Sequence, residues 1–226
     1  MKILIMTPFW KRPEIVKEYL RSLERLPKHD LLAILSPEDP NYWDIMDMLP
    51  EGAYVCSIQN SPFGRKKNEG AELAAVLEWD YLMELNSDSI VNPAIFELYK
   101  PYMDKRTEFF GLNNLFAVDY ATKKSIFCRN YNTDMTFGSG RMLHRSALHL
   151  PLWTNELESG MDTNMMSRLK KHGVKETVVD CGETPMIVDL KTNTTLSHFK
   201  ILERYSEKTV PYEYICKHIG YDIICT

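Results

Sequence analysis

The chain has 226 residues, 44% of them hydrophobic and 26% charged, with a formal net charge of -4. That length builds one domain with a sizeable core, and the composition excludes fibrous and disordered classes. The mild acidity argues against broad binding along a nucleic-acid backbone, which draws on counterion release from a strongly basic surface.

The first apolar stretch, Met1 to Met6, is soon interrupted by Lys11, Arg12 and Pro13. It is too short for an export signal or a membrane span, so a cytoplasmic location is expected. Cys56, Cys128, Cys181, Cys216 and Cys225 are odd in number, widely spread and never form a C-x-x-C pair. They are expected to be reduced and mostly buried, with no disulfide framework or zinc knuckle.

In chain order, Met1 to Met6 reads as a buried strand ending at Thr7-Pro8. From Pro13 the apolar positions Ile15, Val16, Tyr19, Leu20, Leu23 and Leu26 recur at helical spacing until Pro27. Strands are predicted at Leu31 to Leu35, Ala53 to Ile58 and Tyr81 to Leu85, with helices at Asn41 to Met48 and Lys67 to Trp79. Such alternation predicts a mostly parallel sheet covered on both faces, with ligands at the C-terminal edges of its strands.

The second half is mixed. A helix is predicted at about Ala94 to Met103, and strand-like runs at Phe109 to Val118, Ser125 to Cys128 and Arg141 to His144. Asp162 to His172 reads as a helix stopped by Gly173, with strands near Thr177 to Val179 and Met186 to Val188, and the tail is rich in charge and tyrosine. Neither an internal repeat nor a linker is evident.

Several polar segments stand at the ends of these elements. Asn86-Ser87-Asp88 follows the apolar strand Tyr81 to Leu85, and a basic stretch, GRKKNEGAELAA, runs from Gly64 to Ala75. The first strand delivers Thr7-Pro8-Phe9-Trp10-Lys11-Arg12-Pro13, and the second delivers Ser36-Pro37-Glu38-Asp39. Later come Thr136 to Met142 around Gly138-Ser139-Gly140, then ELESGMDTNMMSRLKKHG from Glu156 to Gly173, then Leu196-Ser197-His198-Phe199-Lys200.

In that order, over roughly Met1 to Lys200, these segments resemble the GT-A glycosyltransferases, and glycosyltransferase family 2 in particular. The resemblance implies a three-layer α/β/α, Rossmann-like GT-A fold with a central mixed, mostly parallel sheet. It implies one domain, with a nucleotide half at about 1–92, an acceptor half at about 93–200 and a C-terminal extension at about 201–226. The activity implied is transfer of a hexose or pentose from a UDP- or GDP-sugar to an acceptor hydroxyl, helped by Mn2+ or Mg2+.

The site residues follow from the same resemblance. Asp88 stands where the family's D-x-D acid holds the cation, with His198 as a late second ligand. Asn86 replaces the first acid and is left to meet a ribose hydroxyl. Thr7, Pro8, Trp10, Arg12 and Asp39 fall in the nucleoside and phosphate loops, with Glu38 as the alternative to Asp39 for the acid against the uracil or ribose. Arg65, Lys66 or Lys67 neutralises phosphate or contacts the nucleoside, Asn68 and Gly70 cap the helix and allow close approach to the donor, and Lys200 also faces phosphate. Asp162 matches the acid that begins the late helix, where it acts as an N-cap or as the base that deprotonates the acceptor. A base implies inversion, whereas several retaining families use a late metal-binding His, and the reading leans only slightly to inversion.

The acceptor expected is a soluble saccharide or a protein, with a hydroxymethyl-pyrimidine base in DNA as an alternative that the net charge disfavours. Two other classes remain open. One is a sugar nucleotidyltransferase, although TPFWKRPE lacks the glycine-rich loop of such enzymes. The other is a non-catalytic nucleotide-sugar binder, in keeping with Asn86, Met161 and Asn164 at positions of expected acids.

Overall fold

The computed structural model describes residues 1–129, 135–192, 199–204 and 206–223. The first strand, β1 (Ile3–Pro8), is wholly buried and lies between β2 (Asp30–Leu35) and β4 (Tyr81–Glu84), parallel to both. Beyond β2 lies β3 (Tyr54–Ser57), also parallel. On the other side β4 pairs antiparallel with β9 (Arg141–His144), which in turn pairs antiparallel with β6 (Phe109–Leu112). With β10 (Glu176–Val179) parallel to β6, the order is β10-β6-β9-β4-β1-β2-β3, a mixed and mostly parallel seven-stranded sheet.

Alternation along β1 explains the layers, because successive side chains of a strand point to opposite faces. Ile3 and Ile5 join a core cluster with Val16, Tyr19, Leu20 and Leu23 of α1 (Pro13–Leu23) and with Ile95, Phe96, Tyr99 and Met103 of α4 (Ala94–Asp104). Leu4 and Met6 face the other way. They meet Ala71 and Ala74 of α3 (Phe63–Val76) and Met161, Met165 and Leu169 of α5 (Met161–Lys171). The short α2 (Tyr42–Met48) follows β2 and adds Ile45 to the first cluster. This is the expected three-layer arrangement.

A second sheet was not foreseen. β5 (Ser89–Val91) and β7 (Asn114–Asp119) flank β11 (Ile187–Lys191), and β8 (Ser125–Arg129) and β12 (Ser206–Val210) continue beyond β7, in the order β12-β8-β7-β11-β5. The single strand read at Phe109 to Val118 is therefore two, β6 in one sheet and β7 in the other, divided at the buried Asn113. The charged tail contributes β12 together with α6 (Phe199–Glu203) and α7 (Tyr212–Ile219). Ile215 and Ile219 of α7 close the core of the second sheet against Phe116, Phe127 and Leu190.

Two helix starts differ from expectation. α3 begins at Phe63 rather than Lys67, so Asn68 and Gly70 lie in its interior and cap nothing. A Cβ at Gly70 would come within 2.2 Å of Ile34 Cδ1, so its close approach is to β2 and not to a donor. α5 starts at Met161 after Gly160, whose φ of 71° suits a residue without a Cβ, so Asp162 is inside the helix and not its N-cap. Cys56, Cys128, Cys181 and Cys216 are free thiols, and Cys225 lies outside the described residues. Among the described residues no helix is long and apolar enough to cross a membrane.

Candidate functional site

The chain runs from β1 to β2 and β3 on one side of the sheet, then returns to place β4 on the other. Ligands in open α/β sheets collect at the C-terminal strand ends where order reverses in this way. Here those ends are Pro8 of β1 and Glu84 of β4, with Met6 opposite Glu84 in register. A cleft of about 530 Å3 opens there, lined among others by Trp10, Arg12, Lys66, Asn86, Asp88 and Asp162.

Asn86-Ser87-Asp88 forms the turn that leaves β4 in the large sheet and enters β5 in the small one. Ser139 supports it from the segment before β9. Its hydroxyl donates to Ser89 at 2.7 Å and accepts the Asn86 N–H at 3.3 Å, and Gly140 N–H bonds the Glu84 carbonyl at 2.7 Å. The backbone of Asp88 is tied to β11 by Leu190 N–H at 2.7 Å.

Asp88 is 5% exposed, and its carboxylate already has two cationic partners. Lys191 Nζ stands 3.1 Å from Oδ2 and Arg12 Nη1 3.4 Å from it. Burial works against its charge, but Lys191 and Arg12 together hold it below the usual carboxylate range. Lys191 also reaches Asp189 Oδ2 at 2.8 Å, and although burial opposes its charge, the two carboxylates raise its pKa. Asp189 itself is pushed up, first by burial, and accepts from Ser89 at 2.6 Å.

This surrounding does not fit the divalent cation expected at Asp88. A hard cation takes several oxygen ligands and, beside substrate phosphates, needs at least one carboxylate free to turn toward it. Here Asn86 and Ser87 offer only neutral oxygens, and the one carboxylate faces two positive groups. Among the described residues no three His, Cys, Asp or Glu side chains are grouped to hold a metal. His198 lies outside the described residues.

Arg12 owes its position to an unusual backbone. Lys11 and Arg12 both adopt left-handed conformations, φ 59° and 58°, immediately before α1. Each such residue costs about 1 kcal/mol or more, so the loop needs support. Asp39 gives it by accepting Lys11 N–H at 2.5 Å, while its other oxygen takes Asn41 N–H at 2.9 Å. Asp39 is thus buried beneath the loop and is not among the residues lining the cleft.

The other sequence-derived candidates divide. Pro8, Trp10 and Lys67 line the cleft, but Lys67 is a buried partner of Glu84 with its ammonium 4.2 Å from the Trp153 ring centroid. Thr7 is fully buried and bonded to Tyr19 Oη at 2.5 Å. Asn68 bridges helix to loop, donating to Trp153 O at 2.7 Å and to Asn155 Oδ1 at 2.7 Å, and accepting Trp153 N–H at 3.0 Å. Lys200 is exposed on α6, which packs on β7 and β8, and does not line the cleft.

Asp162 lies on the cleft with its side chain 48% exposed. Gly138 N–H reaches its Oδ2 at 3.2 Å, and the buried guanidinium of Arg141 its Oδ1 at 3.5 Å. Arg141 is in turn locked by Thr136 Oγ1 at 2.7 Å and Thr136 O at 2.7 Å. The carboxylate is therefore fixed and still open to solvent.

Two further lysines line the cleft, Lys66 from the basic stretch and Lys191 from β11. Lys66 donates to Phe9 O at 2.6 Å and to Asn60 Oδ1 at 3.0 Å, and burial pulls its pKa down to about 8. Lys191 was missed. Its signal was present, since Asp189 and Lys191 are charged residues two apart in an apolar strand and so share one face.

No protein-family profile and no curated protein matches the chain. Among solved structures it resembles TarS of S. aureus. The 1-349 piece aligns with TM-score 0.63 at 13% identity, covering 84% of this chain and 60% of that one. The same piece in complex with UDP-GlcNAc aligns with TM-score 0.61 at 12% identity, covering 86% and 60%. Its complex with UDP gives 0.63, 13%, 85% and 61%.

The chain has the GT-A fold.

At such low identity the likeness to TarS establishes that fold alone, and the chain spans 60% of the 1-349 piece and 37% of the longer TarS structure. Fold does not carry function with it.

Proposed function

We propose that the chain is a glycosyltransferase that moves a hexose or pentose from a UDP- or GDP-sugar to the hydroxyl of a saccharide or protein acceptor. The observation that carries this reading is one cleft, at the C-terminal ends of β1 and β4, lined by Trp10, Lys66 and Asp162 together with Arg12 and Lys191, the two cations that meet on Asp88. The TarS neighbours in complex with UDP-GlcNAc and UDP support a nucleotide-sugar ligand for a cleft on this fold.

In this reading the nucleoside stacks against Trp10, and the diphosphate lies toward Arg12 and Lys191. The acceptor hydroxyl attacks the anomeric carbon. Its proton passes to the Asp162 carboxylate while the bond from the anomeric carbon to the diphosphate oxygen breaks and leaves its electron pair on that oxygen. Direct attack inverts the anomeric centre. A fixed but solvated carboxylate suits a general base, because it exchanges its proton with water after each turnover. The cation help implied by the sequence resemblance has no place in this scheme, since the surroundings of Asp88 oppose it.

A thermal-shift screen of UDP- and GDP-sugars tests the reading, because a ligand that binds only the folded state raises apparent stability. One nucleotide sugar is expected to raise Tm, and with an acceptor present its nucleoside diphosphate should be released. A flat response across the whole set would refute the proposal. Donor binding without release in any acceptor mixture would point to the non-catalytic binder.

A further inference from the structure

A leaving nucleoside diphosphate gains negative charge as the glycosidic bond breaks, and something positive must stand beside it. In this cleft the positive groups nearest the Asn86-Ser87-Asp88 turn are side chains. Arg12 and Lys191 arrive from opposite ends of the sequence, one from the loop before α1 and one from the end of β11, and meet on Asp88 Oδ2.

Arg12 and Lys191 set two positive charges against the two carboxylates of Asp88 and Asp189, so what the cluster offers a phosphate is a pair of fixed, charged N–H donors and not a net charge. Both are held before any ligand comes. Lys191 is 5% exposed and anchored by Asp189 at 2.8 Å, which leaves the ammonium a third N–H beyond its two carboxylates. Arg12 is fixed by its left-handed backbone and uses one Nη on Asp88, leaving further donors of its fork for a phosphate. Partial burial strengthens what remains of their field.

We propose that Arg12 and Lys191, gathered on Asp88, form a protein-built clamp for the diphosphate of the nucleotide sugar and take the place of the divalent cation. The proposal rests on the glycosyl-transfer reading above. Asp88 is then a positioning residue that holds two cations at a set spacing, and it does not itself touch the phosphates.

Calorimetric titration with UDP, GDP, uridine and guanosine, in EDTA and again in Mn2+, tests it on the intact chain. The diphosphate that binds should do so in EDTA within about twofold of its affinity in Mn2+. Arg12→Gln, a substitution in the loop before α1, should weaken that diphosphate by about tenfold or more while leaving its nucleoside within about twofold. Lys191→Arg should retain binding in EDTA, and Lys191→Met should lose it, with circular dichroism showing which variants fold.

Diphosphate binding that needs Mn2+ would overturn the clamp and leave the glycosyl-transfer reading standing. Unchanged diphosphate affinity in Arg12→Gln would do the same. Failure of all four ligands to bind in either buffer would overturn both.

Discussion

Gly138 and Asp162 are fitted to one another: the Gly138 N–H bonds Asp162 Oδ2 at 3.2 Å, and a Cβ on Gly138 would stand 2.1 Å from Oδ1. Gly138→Ala must therefore move the carboxylate. If Asp162 is the base, the displacement should slow transfer by roughly 10²-fold, as misplacement of about 1 Å can. Asp162→Asn should slow it by roughly 10²–10⁴-fold. Nucleotide affinity in both variants should stay near wild type, because neither change touches Arg12 or Lys191. Single-turnover kinetics alongside calorimetry checks this, and a full-speed Asp162→Asn enzyme would remove the base assignment.

Asn68 separates structure from binding. The sequence resemblance put it beside the donor, yet its side chain satisfies both the N–H and the carbonyl of Trp153. Asn68→Ala leaves these buried groups without that partner, at a cost of about 1–3 kcal/mol for each group stranded. Urea unfolding should show the loss as a lower midpoint. Nucleotide affinity of the folded protein should be unchanged, and a tenfold loss without destabilisation would restore the donor role.

The Lys67–Glu84 pair should behave as a buried ion pair, with both side chains at most 5% exposed. Lys67→Met alone strands a carboxylate and should destabilise by about 3–5 kcal/mol. Lys67→Met with Glu84→Leu should recover most of that. A double-mutant cycle in urea measures it, and no coupling between the two substitutions would contradict the structure.

Lys66 gives a pH signature. Burial lowers its pKa from 10.5 to about 8, against a partial upward pull from Asp39 and Glu38. The ammonium is charged below about pH 8 and neutral above it, so affinity for a nucleoside diphosphate should fall as pH rises through 8. Lys66→Met should flatten that profile. For stability the sign is opposite: between about 8 and 10.5 the unfolded chain binds the proton and the folded chain does not, so this group's contribution to stability rises with pH there. Titrations from pH 6.5 to 9.5 read the first effect, and a profile equally steep in Lys66→Met would exclude Lys66 as its source.

Much of the large sheet was legible because its elements are strongly periodic. The apolar run at Ile3–Pro8 and the helical spacing of Ile15, Tyr19 and Leu23 leave little choice of element. The second sheet was not legible. Ser89–Val91 is three residues long, and Phe109 to Val118 reads as one apolar stretch, although a break at Asn113 sends its halves to different sheets. Nothing local marks which sheet a strand will join.

The site shows the same division. Local sequence placed Arg12, Asn86, Asp88 and Asp162 near the ends of elements, because the boundaries between strand, loop and helix are short-range properties of the chain. Only the tertiary structure set Asp39 beneath a loop, Asn68 against Trp153 and Lys200 away from the cleft. It alone also brought Lys191 across 103 residues to Asp88. The reason is physical: a residue's type and local periodicity decide what it can do, but the partner that neutralises a buried charge is chosen by the packing of distant strands.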